Sequence, residues 1–244
     1  MIKVERQGQI VIVSLDRPDK RNAMTPGMLT ELVSAVRDSS TGARAMVILG
    51  TGKVFCAGFD LKQCADDPSG ETMRSLLSGL STVVRTMRDI PIPIVLGVHG
   101  AAVAGGCAML GGADVVVANE QAKLGYPVVK IGVSPAVSAA FMLASINPGA
   151  VRTRLLDTEL VSGVAAKRIG LVHETVESPG DVRDRSIHIA NHLASMPGNA
   201  CELTKIFMNE LAASFTDQVT RGLDASLALT GSQEEQERLA ALWG

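Results

Sequence analysis

The chain has 244 residues, of which 46% are hydrophobic and 20% are charged, which suits one large globular domain with an appendage or two small domains. Its 23 lysines and arginines nearly balance its 25 aspartates and glutamates. The formal net charge of −2 excludes the basic surface that nucleic-acid binding or a polybasic membrane anchor needs. The four cysteines, Cys56, Cys64, Cys107 and Cys201, lack C-x-x-C spacing, so we expect no disulfide framework or metal site, and we predict reduced thiols in a cytoplasmic protein.

Short β-rich runs alternate with helical patterns up to about residue 180, as in stacked ββα or βαβ units. Residues 1–16 alternate apolar and polar side chains like an edge strand and lack the basic and apolar segments of a secretory leader. The most apolar run, residues 92–113, contains Pro93 and six glycines, which argue against a transmembrane helix. The pattern predicts these strands: Ile10–Leu15, Met46–Leu49, Ile94–Val98, Val115–Ala118 and Leu171–Val176.

Helices are predicted between these strands and throughout the end of the chain. Thr25 followed by Pro26 is typical of an N-cap and a first helical position, and it begins a helix to about Asp38. A second helix is predicted from Glu71 to Arg88. From about residue 181 the pattern is purely helical, with these residues on amphipathic faces: Leu193, Leu203, Ile206, Leu211, Leu223, Leu227 and Leu242. We therefore predict a core over residues 1–180 and a helical lid or oligomer interface over residues 181–244.

Two glycine-containing loops are candidates for binding an anionic oxygen. Residues 99–112 read HGAAVAGGCAMLGG and predict a turn at His99–Gly100, followed by a short apolar helix that begins at Gly105–Gly106. Glycine lets a backbone approach a ligand closely, and the start of a helix leaves N–H groups without partners. The segment FCAGFDLK, residues 55–62, exposes backbone amides around Gly58 in the same way. Two such amides that converge on one oxygen form an oxyanion hole.

Five segments, in this order and spacing, resemble the crotonase superfamily of enoyl-CoA hydratases and isomerases. They are RPDKRNAMTPGMLTEL (17–32), FCAGFDL (55–61), GAAVAGGCAML (100–110), GGADVVVA (111–118) and KIGVSPA (130–136), and the resemblance continues through VSGVAAKRIGLVHETV (161–176). It implies an α/β fold of the ClpP/crotonase type, a spiral of ββα units with a C-terminal helical region that forms trimers, often as a dimer of trimers. It also implies an acyl-CoA thioester as substrate or ligand, whose enolate is stabilised without a further cofactor.

The resemblance also assigns site residues. The oxyanion donors would be the backbone amides of Ala57 and Gly105. The loop from Arg21 to Ala23 and the run from Ala57 to Leu61, which includes Phe59, would line the bent acyl-CoA. The backbone around Asp60 and Leu61 would meet the adenine, while the Asp60 side chain fixes the loop. Lys62 would approach the phosphates, although a solvated lysine explains it equally well.

The chain departs from the family at both catalytic acids. The resemblance places one glutamate three residues after Gly105, where this chain has Ala108, and the other in a Pro-Glu dipeptide, where this chain has Val128. Hydration needs a general base for water and an acid for carbon, each worth about 10²–10⁴-fold. Neither an alanine nor a valine supplies them, so both positions are expected to line the site without taking part in proton transfer.

Other polar side chains near these motifs are candidates to replace the acids. Tyr126, the only tyrosine, is expected to enter the acyl pocket and donate a hydrogen bond or to pack at its rim, and it is a poor base near neutral pH. His99 is expected to fix turn backbone groups rather than act as a base. Cys56 and Cys107 lie beside the donors but lack a neighbour that would lower a thiol pKa, so we expect inert packing. Ser134 is expected either to reach the mouth of the pocket or to stabilise the turn before Pro135.

Three functions remain open from the sequence. The first is an acyl-CoA enzyme that does not perform standard hydration, for instance a decarboxylase, an isomerase or a thioesterase. The second is a catalytically weak or inactive acyl-CoA binder. The third is an ordinary hydratase in which Glu120, Glu159 or Glu174 replaces the acids; it ranks last because these residues lie away from the pocket motifs.

Overall fold

The structure, a computed structural model, describes residues 1–211 and 214–241. Its larger sheet has the strand order β1-β2-β3-β4-β6-β9, in which β1 is antiparallel to β2 and every later neighbour pair is parallel. The strands are β1 (Ile2–Gln7), β2 (Ile10–Leu15), β3 (Ala45–Gly50), β4 (Ile94–Val98), β6 (Val115–Asn119) and β9 (Glu174–Val176). A smaller sheet has the order β5-β7-β8, with β5 (Ala101–Val103), β7 (Lys123–Gly125) and β8 (Val161–Ser162).

The two sheets arise from repeated ββα units. After β4 the chain turns at His99–Gly100 into β5 of the smaller sheet and then enters α4 (Gly105–Ala108). The next unit repeats this path with β6, β7 and α5 (Ala136–Leu143), and β5 and β7 pair in parallel. Each of these two units therefore contributes one strand to each sheet, as in the spiral of ββα units that the family resemblance implies.

The predicted strands and helices are largely confirmed. β2 and β4 have the predicted bounds, and β3 and β6 extend beyond theirs by one residue at one or both ends. Helix α1 (Pro26–Ser40) begins after Thr25, whose Oγ1 accepts a hydrogen bond from the Met28 amide at 3.2 Å, and α3 (Glu71–Asp89) matches the second predicted helix.

The strand predicted over Leu171–Val176 is too long. Only Glu174–Val176 is extended along β6, because the amides of Leu171 and Val172 bond back to the carbonyl of Ala166 at the end of α7 (Gly163–Arg168). The sequence patterns also missed β5, β7, β8, α7, α2 (Leu61–Ala65), α5 and α6 (Pro148–Leu156).

The hydrophobic core lies on both faces of the larger sheet. On one face, side chains of β2 and β3 pack against Ala190 and Ala194 of α8 (Asp181–Ser195). On the other face, α1 and α3 bury their apolar sides together with the segments that surround α4. Helix α8, the first element beyond the predicted boundary at residue 181, thus forms part of the core.

The last three helices have different neighbours. α9 (Gly198–Leu211) exposes a row of apolar side chains, with Phe207 57% and Leu211 67% exposed in the single chain. α10 (Ser214–Leu227) packs against α5, and α11 (Gln233–Ala240) packs across α2 and the 3-10 turn at Pro127–Ile131. Leu242 lies outside the described residues. None of the helices in the described ranges has the length and apolar composition needed to cross a membrane, and residues 92–113 are divided among strands and short helices.

Candidate active site

A cavity of about 190 Å³ lies where the loop after β3, helix α3, the start of α4 and the segment before α5 meet. Hydroxyl groups on its wall come from Tyr126, Ser134 and Ser138, and the described wall contains no Asp, Glu, His, Lys or Arg. The cavity can therefore bind an apolar group but offers no ordinary proton carrier. The lining residues are Ala57, Phe59, Leu61, Met73, Leu77, Leu80, Val103, Ala104, Gly105, Tyr126, Pro127, Val128, Ile131, Val133, Ser134, Pro135, Val137 and Ser138.

Gly105 is positioned by a tight turn and by close packing. Ala104, which precedes it, has the left-handed torsion φ 52°, and α4 begins directly afterwards. A methyl group on Gly105 would lie 2.7 Å from Met24 Cε and 2.9 Å from the Phe59 ring. The glycine thus allows the two loops to contact each other. Its amide has no hydrogen-bond acceptor within the described ranges, as expected for the first residue of a helix.

The predicted donor at Ala57 is wrong in detail, because its amide is already engaged. The Ala57 N–H donates to the carbonyl of Arg21 at 3.0 Å, and the Asp60 N–H donates to the carbonyl of Met24 at 2.9 Å. Between them, the Phe59 amide has no acceptor in the described part of the chain, although Phe59 lines the cavity. Gly58, with φ 99°, turns the chain immediately before it. The Phe59 and Gly105 amides thus both lack an acceptor among the described residues, and both residues line the cavity.

The two loops that the resemblance assigns to acyl-CoA are fixed to each other by Arg17. Its Nη1 donates to the Asp60 carboxylate at 2.8 Å and to the Ala23 carbonyl at 2.9 Å, which gives Asp60 the loop-fixing contact expected of it. The buried Asn22, with φ 54°, donates from Nδ2 to three carbonyls of residues 51–55. The side chains of Arg21 and Lys62 are exposed.

The positions assigned to the two glutamates differ in their surroundings. Val128 lines the cavity, whereas Ala108 is 2% exposed and packs in the hydrophobic core rather than on the described wall. The substitute acids are elsewhere. Glu159 is exposed and lies 3.6 Å from Lys130, and Glu174 forms an ion pair with Arg185. These two acids and Glu120 are absent from the cavity wall as described.

One buried acid was missed by sequence reasoning. Among the described residues, Glu235 of α11 is the only acid whose side chain is buried, and this burial raises its pKa. It faces a neighbouring cavity with Cys64 and Met73, and its Oε2 accepts a hydrogen bond from the Gly231 amide at 2.5 Å. Its carboxyl group therefore holds the turn that leads into Ser232, the N-cap residue of α11. An acid three residues after Ser232 is the sequence signal of such a cap.

The remaining polar candidates have structural contacts. The His99 ring contacts the Gly52 carbonyl at 3.1 Å, the backbone-fixing role expected for it. Ser134 Oγ accepts a hydrogen bond from the Ala136 amide at 3.3 Å, although Ser134 also lines the cavity. Cys56 and Cys107 are fully buried, and desolvation raises the pKa of each thiol to about 12. Both thiols stay protonated near neutral pH and are poor nucleophiles.

Tyr126 is 2% exposed, and its buried hydroxyl has no hydrogen-bond partner among the described residues. Burial, followed by the nearby Cys107 thiol, raises its pKa well above the ordinary value. The phenol therefore remains protonated at neutral pH, so it can donate a hydrogen bond but cannot serve as a base.

Comparison with known proteins agrees with this architecture. A sequence profile of the enoyl-CoA hydratase/isomerase family matches residues 5–240. A Thermus thermophilus protein that carries an enoyl-CoA hydratase name is 34% identical over 210 residues, which cover 84% of this chain and 82% of that protein. Enoyl-CoA hydratase EchA19 of Mycobacterium tuberculosis is 31% identical over 79% of this chain and 74% of its own length.

The fold is shared with solved members of the same family. The crystal structure of an enoyl-CoA hydratase from Bacillus halodurans superimposes with a TM-score of 0.88 at 25% identity and covers 98% of this chain and 99% of that one. The chain therefore belongs to the enoyl-CoA hydratase/isomerase family, and the crotonase-like fold predicted from its motifs is confirmed.

Proposed function

We propose that this protein binds an acyl-CoA thioester in the cavity beside α4 and holds the thioester oxygen with the backbone amides of Phe59 and Gly105. The observation that carries this proposal is that both amides lack acceptors among the described residues and that both residues line one apolar cavity. Preorganised donors of this kind stabilise negative charge on an oxygen, and each is worth about 2.7–4 kcal/mol at the transition state.

The reaction is not standard hydration, because the described cavity wall has no carboxylate or imidazole to activate water or to protonate carbon. Decarboxylation demands least of the protein. When the bond between the α-carbon and a carboxylate breaks, carbon dioxide leaves and the bonding electron pair forms the enolate that the two amides stabilise. A proton from solvent then completes the product. Isomerisation and thioester hydrolysis need a proton carrier or an activated water, so they make greater demands on this wall.

A second candidate is an acyl-CoA binder with little or no turnover. The same uncharged wall favours it, since binding through backbone amides and apolar contacts needs no titratable group. An ordinary hydratase is the least supported alternative, because Glu120, Glu159 and Glu174 do not line the cavity and the latter two form ion pairs elsewhere.

Self-association is also part of the proposal. We propose that copies of the chain form a trimer or a dimer of trimers and that α9 contributes to the contact. The exposed Leu203, Phe207, Met208 and Leu211 form the apolar surface that supports this role. No nucleic acid, membrane, metal or additional cofactor is required.

Calorimetry with butyryl-CoA, free CoA and butyrate tests the binding step. We expect the thioester to bind more tightly than either fragment, because only the thioester combines the CoA contacts with an oxygen for both amides. Equal binding of butyryl-CoA and CoA would refute the oxyanion contact. Release of carbon dioxide from malonyl-CoA and methylmalonyl-CoA then separates a decarboxylase from a binder.

A further inference from the structure

Two hydroxyl groups inside the acyl cavity are not used by the proposed chemistry. Tyr126, at the end of β7, and Ser138, in the first turn of α5, both line the cavity, and each is 2% exposed. The remaining wall side chains around them are mostly apolar. Polar atoms on such a wall need an explanation, because a buried hydroxyl without a partner has lost its hydrogen bonds to water and gained none in return.

The Tyr126 hydroxyl has no hydrogen-bond partner among the described residues. The Tyr126 hydroxyl lies close enough to the Ser138 hydroxyl and the Cys107 thiol for both to influence its pKa, but it makes no hydrogen bond of acceptable length and angle to any described residue. Ser134, the third hydroxyl on the wall, is different because it accepts a hydrogen bond from the Ala136 amide. The Tyr126 hydroxyl is therefore available to a bound molecule, and Ser138 lies close to it on the same wall.

We propose that Tyr126 and Ser138 form a polar subsite that recognises an acyl group carrying its own hydrogen-bonding oxygen. This inference rests on the proposed acyl-CoA function and specifies its substrate class. The oxygen belongs to a ketone, a hydroxyl or a carboxylate on the acyl chain, in addition to the thioester oxygen. An unsubstituted alkyl chain fills the same cavity but leaves the Tyr126 hydroxyl without a partner.

The chemistry of the two groups determines what they recognise. Tyr126 stays protonated near neutral pH, so its hydroxyl is a donor for an acceptor oxygen, and the Ser138 hydroxyl both donates and accepts. Discrimination against a ligand that lacks the matching oxygen is strong in such sites, because the ligand leaves buried polar groups unpaired. The subsite therefore selects substituted acyl groups chiefly by rejecting plain ones.

The test compares dissociation constants for thioesters that differ in one oxygen function. Butyryl-CoA is the reference, and 3-hydroxybutyryl-CoA, 4-hydroxybutyryl-CoA, acetoacetyl-CoA and malonyl-CoA carry the oxygen in different forms and positions. We expect at least one of the four to bind the wild-type protein about 3- to 10-fold more tightly than butyryl-CoA, the range of one or more added neutral hydrogen bonds. The pattern across the four identifies the oxygen that is recognised.

Matched variants locate the recognition. Tyr126→Phe and Ser138→Ala are each expected to reduce the preference, whereas Ser134→Ala removes a hydroxyl from the same wall and is expected to preserve it. Thermal melting separates a ligand role from a structural one. Removing an unsatisfied hydroxyl is expected to leave the Tm of Tyr126→Phe unchanged or raise it, whereas loss of a structural hydrogen bond would lower it.

Each outcome is decisive. Tighter binding of a substituted thioester that is lost in Tyr126→Phe and Ser138→Ala supports the subsite. Equal binding of all five thioesters to the wild type overturns the subsite but leaves acyl-CoA binding intact. A preference that survives in both variants places the recognition elsewhere and also overturns it. Failure of every thioester to bind refutes the proposed function itself.

Discussion

The Gly105 N–H can be removed by substitution, and a second variant that adds the same Cβ serves as the control. Gly105→Pro deletes the N–H, whereas Gly105→Ala retains it. Both variants add a Cβ that would lie 2.7 Å from Met24 Cε and 2.9 Å from the Phe59 ring, so both must displace the same side chains. The alanine variant therefore controls for the added Cβ, and the remaining difference reports the lost N–H together with the Cγ and Cδ of the proline ring.

The expected magnitude follows from the number of donors. Loss of one of two donors costs about 2.7–4 kcal/mol at the transition state, or about 10²–10³-fold in the rate of any reaction that passes through an enolate. For a bound ground-state thioester the loss is about 0.5–1.5 kcal/mol, since the carbonyl oxygen is neutral. The proline variant should therefore bind acyl-CoA about 2- to 10-fold more weakly than the alanine variant.

An infrared difference spectrum reports the same contact without requiring turnover. Butyryl-CoA labelled with carbon-13 at the thioester carbonyl should show a lowered stretching frequency when bound to the alanine variant and a smaller shift when bound to the proline variant. Circular dichroism establishes that both variants are folded. An identical carbonyl shift in the two folded proteins would remove Gly105 from the site.

Three further predictions address the acids, the assembly and the thiols. Ala108→Glu combined with Val128→Glu should create measurable crotonyl-CoA hydration. Because position 108 is buried, the pKa of the carboxyl group introduced there should be raised. A folded but inactive double variant would contradict the assignment of these positions to the two glutamates. Light scattering should give the mass of a trimer or hexamer for the wild type. Phe207→Glu should reduce this mass, whereas Leu156→Glu, at an exposed site on α6, should leave it unchanged. A monomeric wild type would refute the proposed association. At pH 8, iodoacetamide should modify at most one cysteine per folded chain, because three of the four are buried and burial raises the pKa of their thiols to about 12. Rapid modification of all four cysteines, measured by mass spectrometry, would contradict this prediction.

The strands that sequence reasoning found are those with enough residues to show a pattern. β2 and β4 are runs of mostly β-branched and aliphatic residues. Both faces of these strands are buried, so nearly every position is apolar and the run is visible in the sequence. β5, β7 and β8 have two or three residues each, too few to display a period. They are extended only because neighbouring ββα units place them side by side, which is a tertiary effect.

The loop around Gly58 lines the cavity, but the Ala57 amide that the sequence analysis assigns as a donor is already engaged. The motif around Gly58 locates a loop with exposed backbone, but the free N–H depends on which carbonyls approach from residues 21–24. The Arg21 carbonyl accepts a hydrogen bond from the Ala57 amide, and the Met24 carbonyl accepts one from the Asp60 amide. The Phe59 amide between them has no acceptor among the described residues. Contacts across more than thirty residues of chain have no local sequence signal. Glu235 lies three residues after Ser232, a local signal for a helix start, but its burial depends on how α11 packs across α2 and has no such signal.

The most direct test of the account is the rate at which the unmodified protein hydrates crotonyl-CoA, measured beside a family hydratase that has both glutamates. We predict a rate that is lower by about 10⁴-fold or more, because the described cavity wall supplies two oxyanion donors but neither the general base nor the general acid. Hydration at a comparable rate would contradict it, since a residue that we place outside the cavity would then have to carry the proton transfers.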